Sequence, residues 1–285
     1  MYAEVHVDAQ IVVTSRTFGS KFQGLVYAQV RKLLPPGYTL LESLIPESEP
    51  DHKAQHARLM KLVEGPSRPA AILSLCMVPP GYTVAALAEA GVPVVIVDNE
   101  MDGASTITSN NVQGGAIAAQ HLLERGRRRL GVIYGGPRAR KDFNAEQRLR
   151  GFEKKLREAG VALAPEDIVD APEYSRKDGA DAFPRLLRAG SKLDGLFCAA
   201  GDVCAMGFLA EARARDVKIP EQIAVVGYDD SPLAGIAQPP LTTLRQSLDV
   251  MAQHAIRLVT AERDAILGKP ARVLVDPVLV VRAST

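Results

Sequence analysis

The chain has no tryptophan, and phenylalanine and tyrosine together make up only 5% of its 285 residues. Surfaces that hold single nucleic-acid strands by stacking need aromatic rings, so that class of function is disfavoured. An excess of charge of one sign is missing too. With 34 basic and 33 acidic residues the net charge is +1, and no global field draws the chain toward nucleic acid or anionic lipid. The three cysteines, Cys76, Cys198 and Cys204, are odd in number and lack metal-ligand spacing. Cys76 and Cys198 sit in apolar runs, where a thiol behaves as a small hydrophobe, and a cytoplasmic location is expected. No apolar run approaches the roughly 20 residues that span a bilayer. The opening MYAEVHVDAQ carries acidic residues where a signal peptide would have an apolar stretch, so neither export nor a membrane partner is expected.

Catalytic signatures are also lacking. No G-x-G-x-x-G follows a strand, GGPRARKD lacks phosphate-loop spacing, and there is no G-x-S-x-G. His52 and His56 stand four apart without a third ligand, which reads as a solvated helix face. No enzyme activity, cofactor or metal is expected. The basic stretch RGRRR, Arg125 to Arg129, sits at a helix-to-strand turn, where a solvated connection explains it without DNA.

What is present is an alternation. Apolar runs at Ile11, Tyr38, Ala70, Val92, Arg129, Asp194, Ile223 and Val273 are mostly continuous, the pattern of strands buried on both faces of a parallel sheet. Helix-length segments lie between them: 20–34, 53–64, 112–125, 144–159 and 203–215. Gly65, Gly126 and Gly160 stand where a C′ glycine belongs. A late stripe, Leu248, Met251, Ala252, Ala255, Ile256, Leu258 and Val259, has helical period and precedes a final strand pair around Asp276-Pro277. The fold class expected is α/β, two doubly wound parallel-sheet subdomains with hinge crossovers. The expected division is 10–128 plus 246–267 for the first and 129–245 plus 268–285 for the second. At roughly 150 residues per domain the length fits two.

Open α/β sheets bind ligands beyond the carboxyl ends of their strands. Those ends read Ser15-Arg16, Ser74, Asp98-Asn99, Asp202 and Asp229-Asp230. Each acidic residue has a competing role as a cap or turn former, and for Asp202, directly before a helix, capping is the better reading. In DFNAEQRLRGFEKKL, Arg148 shares a helical stripe with Phe152 and Leu156. A cation in the first turn opposes the helix dipole. It calls for an anionic or polyhydroxyl partner, with an ion pair to a nearby carboxylate as the alternative. Asn144, one turn earlier, serves as N-cap, ligand contact or both.

Several stretches, in order, resemble LacI-type bacterial transcriptional regulators: SNNVQGGAIAAQHLLERGRRRLGVIYGGP, NAEQRLRGFEKKLREAG, the run DGLFCAAGDVCAMGF through GYDDSPLAGIAQPPLTTLRQS, and the terminal PVLVVRAS. The likeness spans about Ile11 to Ser284 and is strongest from Asn110 to Arg245. It implies a periplasmic-binding-protein-like fold, an effector cleft between subdomains, and a homodimer. Operator DNA would be bound only through an N-terminal helix-turn-helix, and nothing before Ile11 could form one. That departure implies a truncated chain or a regulator that has lost its reader. Matching motif by motif, the resemblance implies effector contacts at Asn144, Arg148, Asp98, Asp229 and Phe197, whose ring would stack on the ligand. Ser74 joins them as a strand-end polar group. Two departures stand out. Gly201-Asp202 replaces the usual Asn-Asp, so a polar contact is lost or gives way to space for the ligand. SRTFGSKF lacks the usual first-loop pattern and offers Arg16 and Phe18 in its place. The function implied is the ligand-sensing and dimerisation core of a repressor that binds a sugar or related metabolite, with a purine as second choice. The alternative is a solute-binding protein of a transport system.

Overall fold

The structure is a computed structural model that describes residues 9–19, 22–45, 52–65, 68–136, 143–188, 190–261 and 267–285. The MYAEVHVDAQ opening up to Asp8 and most of the GGPRARKD stretch lie outside the described residues. The chain divides into two units: residues 1–109 with 247–275, and 110–246 with 276–285.

The first unit holds β1 (Ala9–Ser15), α1 (Phe22–Leu33), β2 (Tyr38–Leu44), α2 (His52–Glu64), β3 (Ala71–Leu75), α3 (Gly81–Glu89), β4 (Val94–Val97) and β5 (Ser105–Ser109). Later in the chain it adds α8 (Leu248–Val259) and β11 (Arg272–Val275). Its sheet runs β11-β5-β4-β3-β1-β2, with every pairing parallel. The second unit holds α4 (Asn111–Glu124), β6 (Leu130–Gly135), α5 (Phe143–Glu158), β7 (Ile168–Ala171), α6 (Arg176–Leu186), β8 (Gly195–Cys198), α7 (Asp202–Ala214), β9 (Ala224–Asp229), β10 (Thr242–Arg245) and β12 (Val278–Val280). Its sheet runs β12-β10-β9-β8-β6-β7 and is parallel except for β12, which is antiparallel to β10.

The continuous apolar runs are explained by this layering. Each sheet has core on both faces. In the first unit, Ile11, Val13 and Leu73 face α1 and α8, while Val12, Ile72 and Ile96 face α2 and α3. In the second, Phe152, Phe197 and Tyr228 share one face, and Phe183, Cys198, Cys204 and Phe208 share the other. The α8 stripe is buried as its period predicts, through Met251, Ala252, Ala255, Leu258 and Val259.

The division differs from the expected one at two places. Residues 110–128 lie with the second unit, because α4 packs on α5 and β12. Residues 268–275 lie with the first, because β11 extends the first sheet beside β5. The anticipated strand pair is therefore two edge strands of different sheets, separated by Asp276-Pro277. Further elements were unanticipated. Strand β5, STITS, is mostly polar yet fully buried. Helix α6 begins at a capping box formed by Ser175 and Asp178. Helix α3 and strand β7 complete the set.

Two helix pairs in the second unit meet backbone to backbone. A Cβ at Gly115 of α4 would lie 1.9 Å from the Arg148 carbonyl oxygen, and one at Gly151 of α5 would lie 1.9 Å from that of Val112. Gly179 and Gly207 do the same for α6 and α7, at 1.8 and 1.9 Å from the carbonyl oxygens of Cys204 and Arg176. No neighbouring side-chain rotation can relieve a clash with backbone, so each helix pair is held at glycine spacing. Gly151→Ala should lower stability by about 1–3 kcal/mol through overpacking. Chemical denaturation would show a lower midpoint at unchanged slope, and an unchanged midpoint would refute the packing argument.

Candidate functional site

At the carboxyl edge of the second sheet, α5 delivers Arg148 to the ends of β8 and β9. Arg148 is the sixth residue of its helix, one place deeper than the expected start at 144 would put it, and is only 6% exposed. Its Nε donates to Asn111 Oδ1 at 2.8 Å and its Nη1 to the Ala199 carbonyl at 2.8 Å. The guanidinium lies 3.6 Å from the centroid of the Tyr228 ring. A buried cation thus gains neutral acceptors and an aromatic face in exchange for lost hydration. Tyr228 Oη donates to the same Asn111 Oδ1 at 3.2 Å, and Asn111 Nδ2 donates to Asn144 Oδ1 at 2.9 Å. Asn144 is the second residue of α5, so its side chain bridges two helices and does not serve as the cap.

The strand end beyond Tyr228 is strained. Asp229 and Asp230 have φ of 103° and 51°, left-handed conformations that cost a non-glycine residue on the order of 1 kcal/mol or more. Asp230 is locked by Arg245 and Arg282, each at 2.6 Å, and these cations hold its carboxyl below its ordinary value against the cost of burial. Asp229 Oδ1 accepts from Gln246 Nε2 at 2.7 Å. Burial raises the Asp229 pKa, an effect partly offset by the charge of Arg148 and by Gln246.

Asp202 does not cap its own helix. It is the first residue of α7, and Gly201 holds the cap position with no side-chain bond. The Asp202 carboxylate instead accepts from Thr243 Oγ1 at 2.6 Å and from the Ser231 amide at 2.7 Å, tying α7 to β10 and to the loop after β9. It is 1% exposed. Burial, and then the nearby Asp229 charge, push its pKa up to about 7 despite those bonds. The space expected beside Gly201 is filled: a Cβ there would stand 2.7 Å from Asp229 Oδ2.

Phe197 requires a correction. Its ring is fully buried within the core, 5.1 Å from Phe152 and 6.4 Å from Tyr228 between centroids. It sits on β8 with its face committed to these neighbours, and Tyr228 is the aromatic that meets Arg148. Phe197 lies on the same sheet face as Tyr228, under α4 and α5, but farther from the strand ends, so its ring is enclosed by core.

In the first unit, Asp98 follows β4 and Cys76 follows β3, both with left-handed φ, 66° and 55°. The Cys76 thiol donates to Asp98 Oδ2 at 3.4 Å. Ser74 is fully buried and its hydroxyl donates to the Met77 carbonyl at 2.9 Å, so it shapes the strand end and presents nothing outward. Phe18 is half-buried against Tyr27, 4.8 Å between centroids. Tyr27 donates to Glu42 at 2.6 Å, and burial together with that carboxylate pushes its pKa up to about 12. The structure therefore gathers Arg148, Asn144 and Asp229 in the second unit and Asp98 with Cys76 in the first. Sequence reasoning missed Asn111, Tyr228 and Gln246, although SNN and LRQ stood at the element boundaries.

The other basic stretch is structural. Arg127 donates to the Pro220 and Glu221 carbonyls, Arg128 to that of Leu123, and Arg129 pairs with Asp194 at 3.4 Å. His56 contacts Thr83 Oγ1 at 3.0 Å. Among the described residues no cluster of three metal-ligating side chains occurs, and no helix is long and apolar enough to cross a membrane.

Two doubly wound parallel sheets, each ending in polar residues held in left-handed conformations, define the class of periplasmic-binding-protein-like ligand binders. A family profile for the periplasmic binding protein-like domain matches residues 119–285. The chain belongs to that family, in the form found in LacI-type regulators. It is 34% identical over 203 residues to the HTH-type transcriptional regulator CelR of Thermobifida fusca, covering 70% of this chain and 58% of that protein. It is 28% identical over 286 residues to the HTH-type transcriptional repressor PurR of Escherichia coli O1:K1 / APEC, covering 98% of this chain and 80% of that one. The chain spans 57–58% of the length of CelR and of the Haemophilus influenzae PurR that it matches. Among solved structures, a CelR–cellobiose complex aligns with a TM-score of 0.78 at 27% identity, covering 98% of this chain and 84% of that one. CcpA of Lactococcus lactis shares the fold, with a TM-score of 0.80 at 20% identity over 97% of this chain and 99% of that one.

The raised pKa of Asp202 has a stability consequence. The folded chain holds this proton up to about pH 7, whereas an ordinary aspartate releases it near 3.8. The folded state therefore binds more protons across that window, and the associated stabilisation is full below about pH 4 and lost as pH rises to about 7. Asp202→Asn should flatten the fall in stability between those limits, by on the order of a few kcal/mol. Denaturation midpoints measured at pH 4.5, 6 and 7.5 test this; an unaltered slope would mean that Asp202 is ionised throughout.

Proposed function

We propose that the chain is the ligand-sensing and dimerising part of a LacI-type transcriptional repressor, acting in the cytoplasm and without enzymatic activity. A small polar effector binds at the carboxyl edges of the strands, and operator DNA is bound through a separate helix-turn-helix reader. The observation that carries this reading is the buried Arg148–Tyr228–Asn111 cluster beside Asp229. It is a preorganised polar group at the strand ends, where open α/β sheets take their ligands, and its backbone is strained as functional sites often are. The regulator names of the relatives point the same way. So does cellobiose, which the CelR structure contains.

The effector acts by binding one conformation of the protein better than another, and the shift it produces cannot exceed that difference in affinity. Asp98 and Asp229 suit hydroxyl or amine donors, and Arg148 suits hydroxyl acceptors. A sugar or sugar derivative is the first candidate and a purine the second. Ser74 and Phe197 are fully buried and internally satisfied, so the effector contacts fall to Asp98, Asn144, Arg148 and Asp229, with Phe18 half-buried against Tyr27 beyond β1.

A thermal-shift screen of sugars, sugar acids, sugar phosphates and nucleobases should find a stabilising compound; at a hundredfold excess over Kd the gain is about 2.7 kcal/mol. Arg148→Ala and Arg148→Lys should both abolish that shift, because the lysine ammonium cannot reproduce the planar stack on Tyr228 together with two directed bonds. Equal affinity in either variant, with native circular dichroism, would remove Arg148 from the site. Sedimentation should show a dimer; a monomer at micromolar concentration would favour the transport-type solute binder.

A further inference from the structure

A groove on the second unit lies apart from the strand-end cluster. It is formed by α4, α5 and Leu279 of β12, has a volume of about 400 Å³, and shares no residue with the Arg148 cluster. It starts at the glycine contact between the two helices, since Gly151 and Val112 both line it. Its volume is within the range of small-molecule sites. The buried polar side chain in it is His121, 6% exposed. Which nitrogen of that ring carries the proton follows from a chain of hydroxyls. Thr242 is fully buried, and its Oγ1 accepts from the Arg282 amide at 2.9 Å. The hydroxyl hydrogen of Thr242 has Thr285 Oγ1, at 2.9 Å, as its acceptor among the described residues. Thr285 Oγ1 in turn lies 2.8 Å from His121 Nε2. Buried donors are matched in folded proteins, so Thr242 donates to Thr285, Thr285 donates to Nε2, and Nδ1 holds the ring proton. Burial, and then the charge of Arg125, lower the His121 pKa, which keeps the ring neutral near pH 7. The Nδ1–H group has no acceptor among the described residues and is not sealed from solvent.

The α5 wall of the groove carries an excess of positive charge. Lys154 and Lys155 share one carboxylate, that of Glu158, at 4.0 and 3.6 Å. On the α4 wall, Glu124 is engaged by Gln120 Nε2 at 2.6 Å. Ile117 and Leu279 supply apolar surface. From this arrangement we infer that the groove is a second ligand site on the unit, one that takes a small organic anion with an apolar body. The anionic head accepts from the Lys155 ammonium and from His121 Nδ1–H, and the body covers Ile117 and Leu279. Hydrogen bonds to charged groups are roughly twice as strong as those between neutral ones, so the groove separates an acid from its neutral analogue. The inference does not depend on the effector reading, because neither Lys155 nor His121 belongs to the strand-end site.

Benzoate and its neutral isostere benzamide test the assignment, titrated into the whole chain and followed through the carbon–proton resonances of the histidine rings. The His121 signal is identified by its loss in His121→Gln. Benzoate should move that signal saturably with a Kd of roughly a millimolar, and benzamide should bind about tenfold or more weakly. Lys155→Gln changes a side chain that is not buried, so the fold should persist by circular dichroism while benzoate binding weakens about tenfold. A His121 signal that benzoate leaves unmoved at about ten times that concentration overturns the inference. So does a shift confined to the other histidines, which would place the anion elsewhere. Benzamide binding as tightly as benzoate, or an unchanged Kd in Lys155→Gln, would show that the groove does not read charge and overturns it as well.

Discussion

The burial of one guanidinium organises the second unit. Arg148 is placed by a glycine-spaced contact between α4 and α5, in which its own carbonyl lies where a Gly115 side chain would stand. Its charge is then accommodated by a ring, an amide oxygen and a strand-end carbonyl, each from a different element. Loss of any one would leave a buried cation underserved, at a cost exceeding that of an ordinary hydrogen bond. The cluster therefore couples helix packing, sheet register and the position of Asp229.

Around that cation, the chain accepts local strain in both units. Cys76 and Asp98 in the first, and Asp229 and Asp230 in the second, adopt left-handed backbone directly after parallel strands. Surrounding contacts over-determine these conformations: the thiol on Asp98, the Gln246 amide on Asp229 and two arginines on Asp230. In each unit such a turn carries a carboxylate, Asp98 or Asp229, at the edge where a doubly wound sheet receives ligand.

Much of the fold was legible. Continuous apolar runs such as VPVVIV and IAVVGY can be satisfied only between two layers of helices, and the stripe from Leu248 to Val259 could face only a core. Less legible were elements whose burial depends on their neighbours. Strand β5 is polar yet buried, and Ser105 Oγ accepts from the Ala271 amide at 3.0 Å, a partner 166 residues away that the strand's own sequence does not reveal. The division of the chain was misplaced for a related reason. Helix α4 and strand β11 carry no local mark of which sheet they join.

Of the site, the residues at strand ends and the Arg148 stripe could be read from spacing, because the carboxyl edge of a parallel sheet is set by chain direction alone. Which side chains turn outward could not. Phe197 went into the core, Asn144 bridged to another helix and Asp202 tied α7 to β10, all decided by partners more than 30 residues away in the chain. The amino-acid order by itself determined the alternation of strand and helix and the kinds of polar group at each strand end. Only tertiary packing decided which of those groups are satisfied inside the protein, since that depends on distances between elements that local periodicity does not encode.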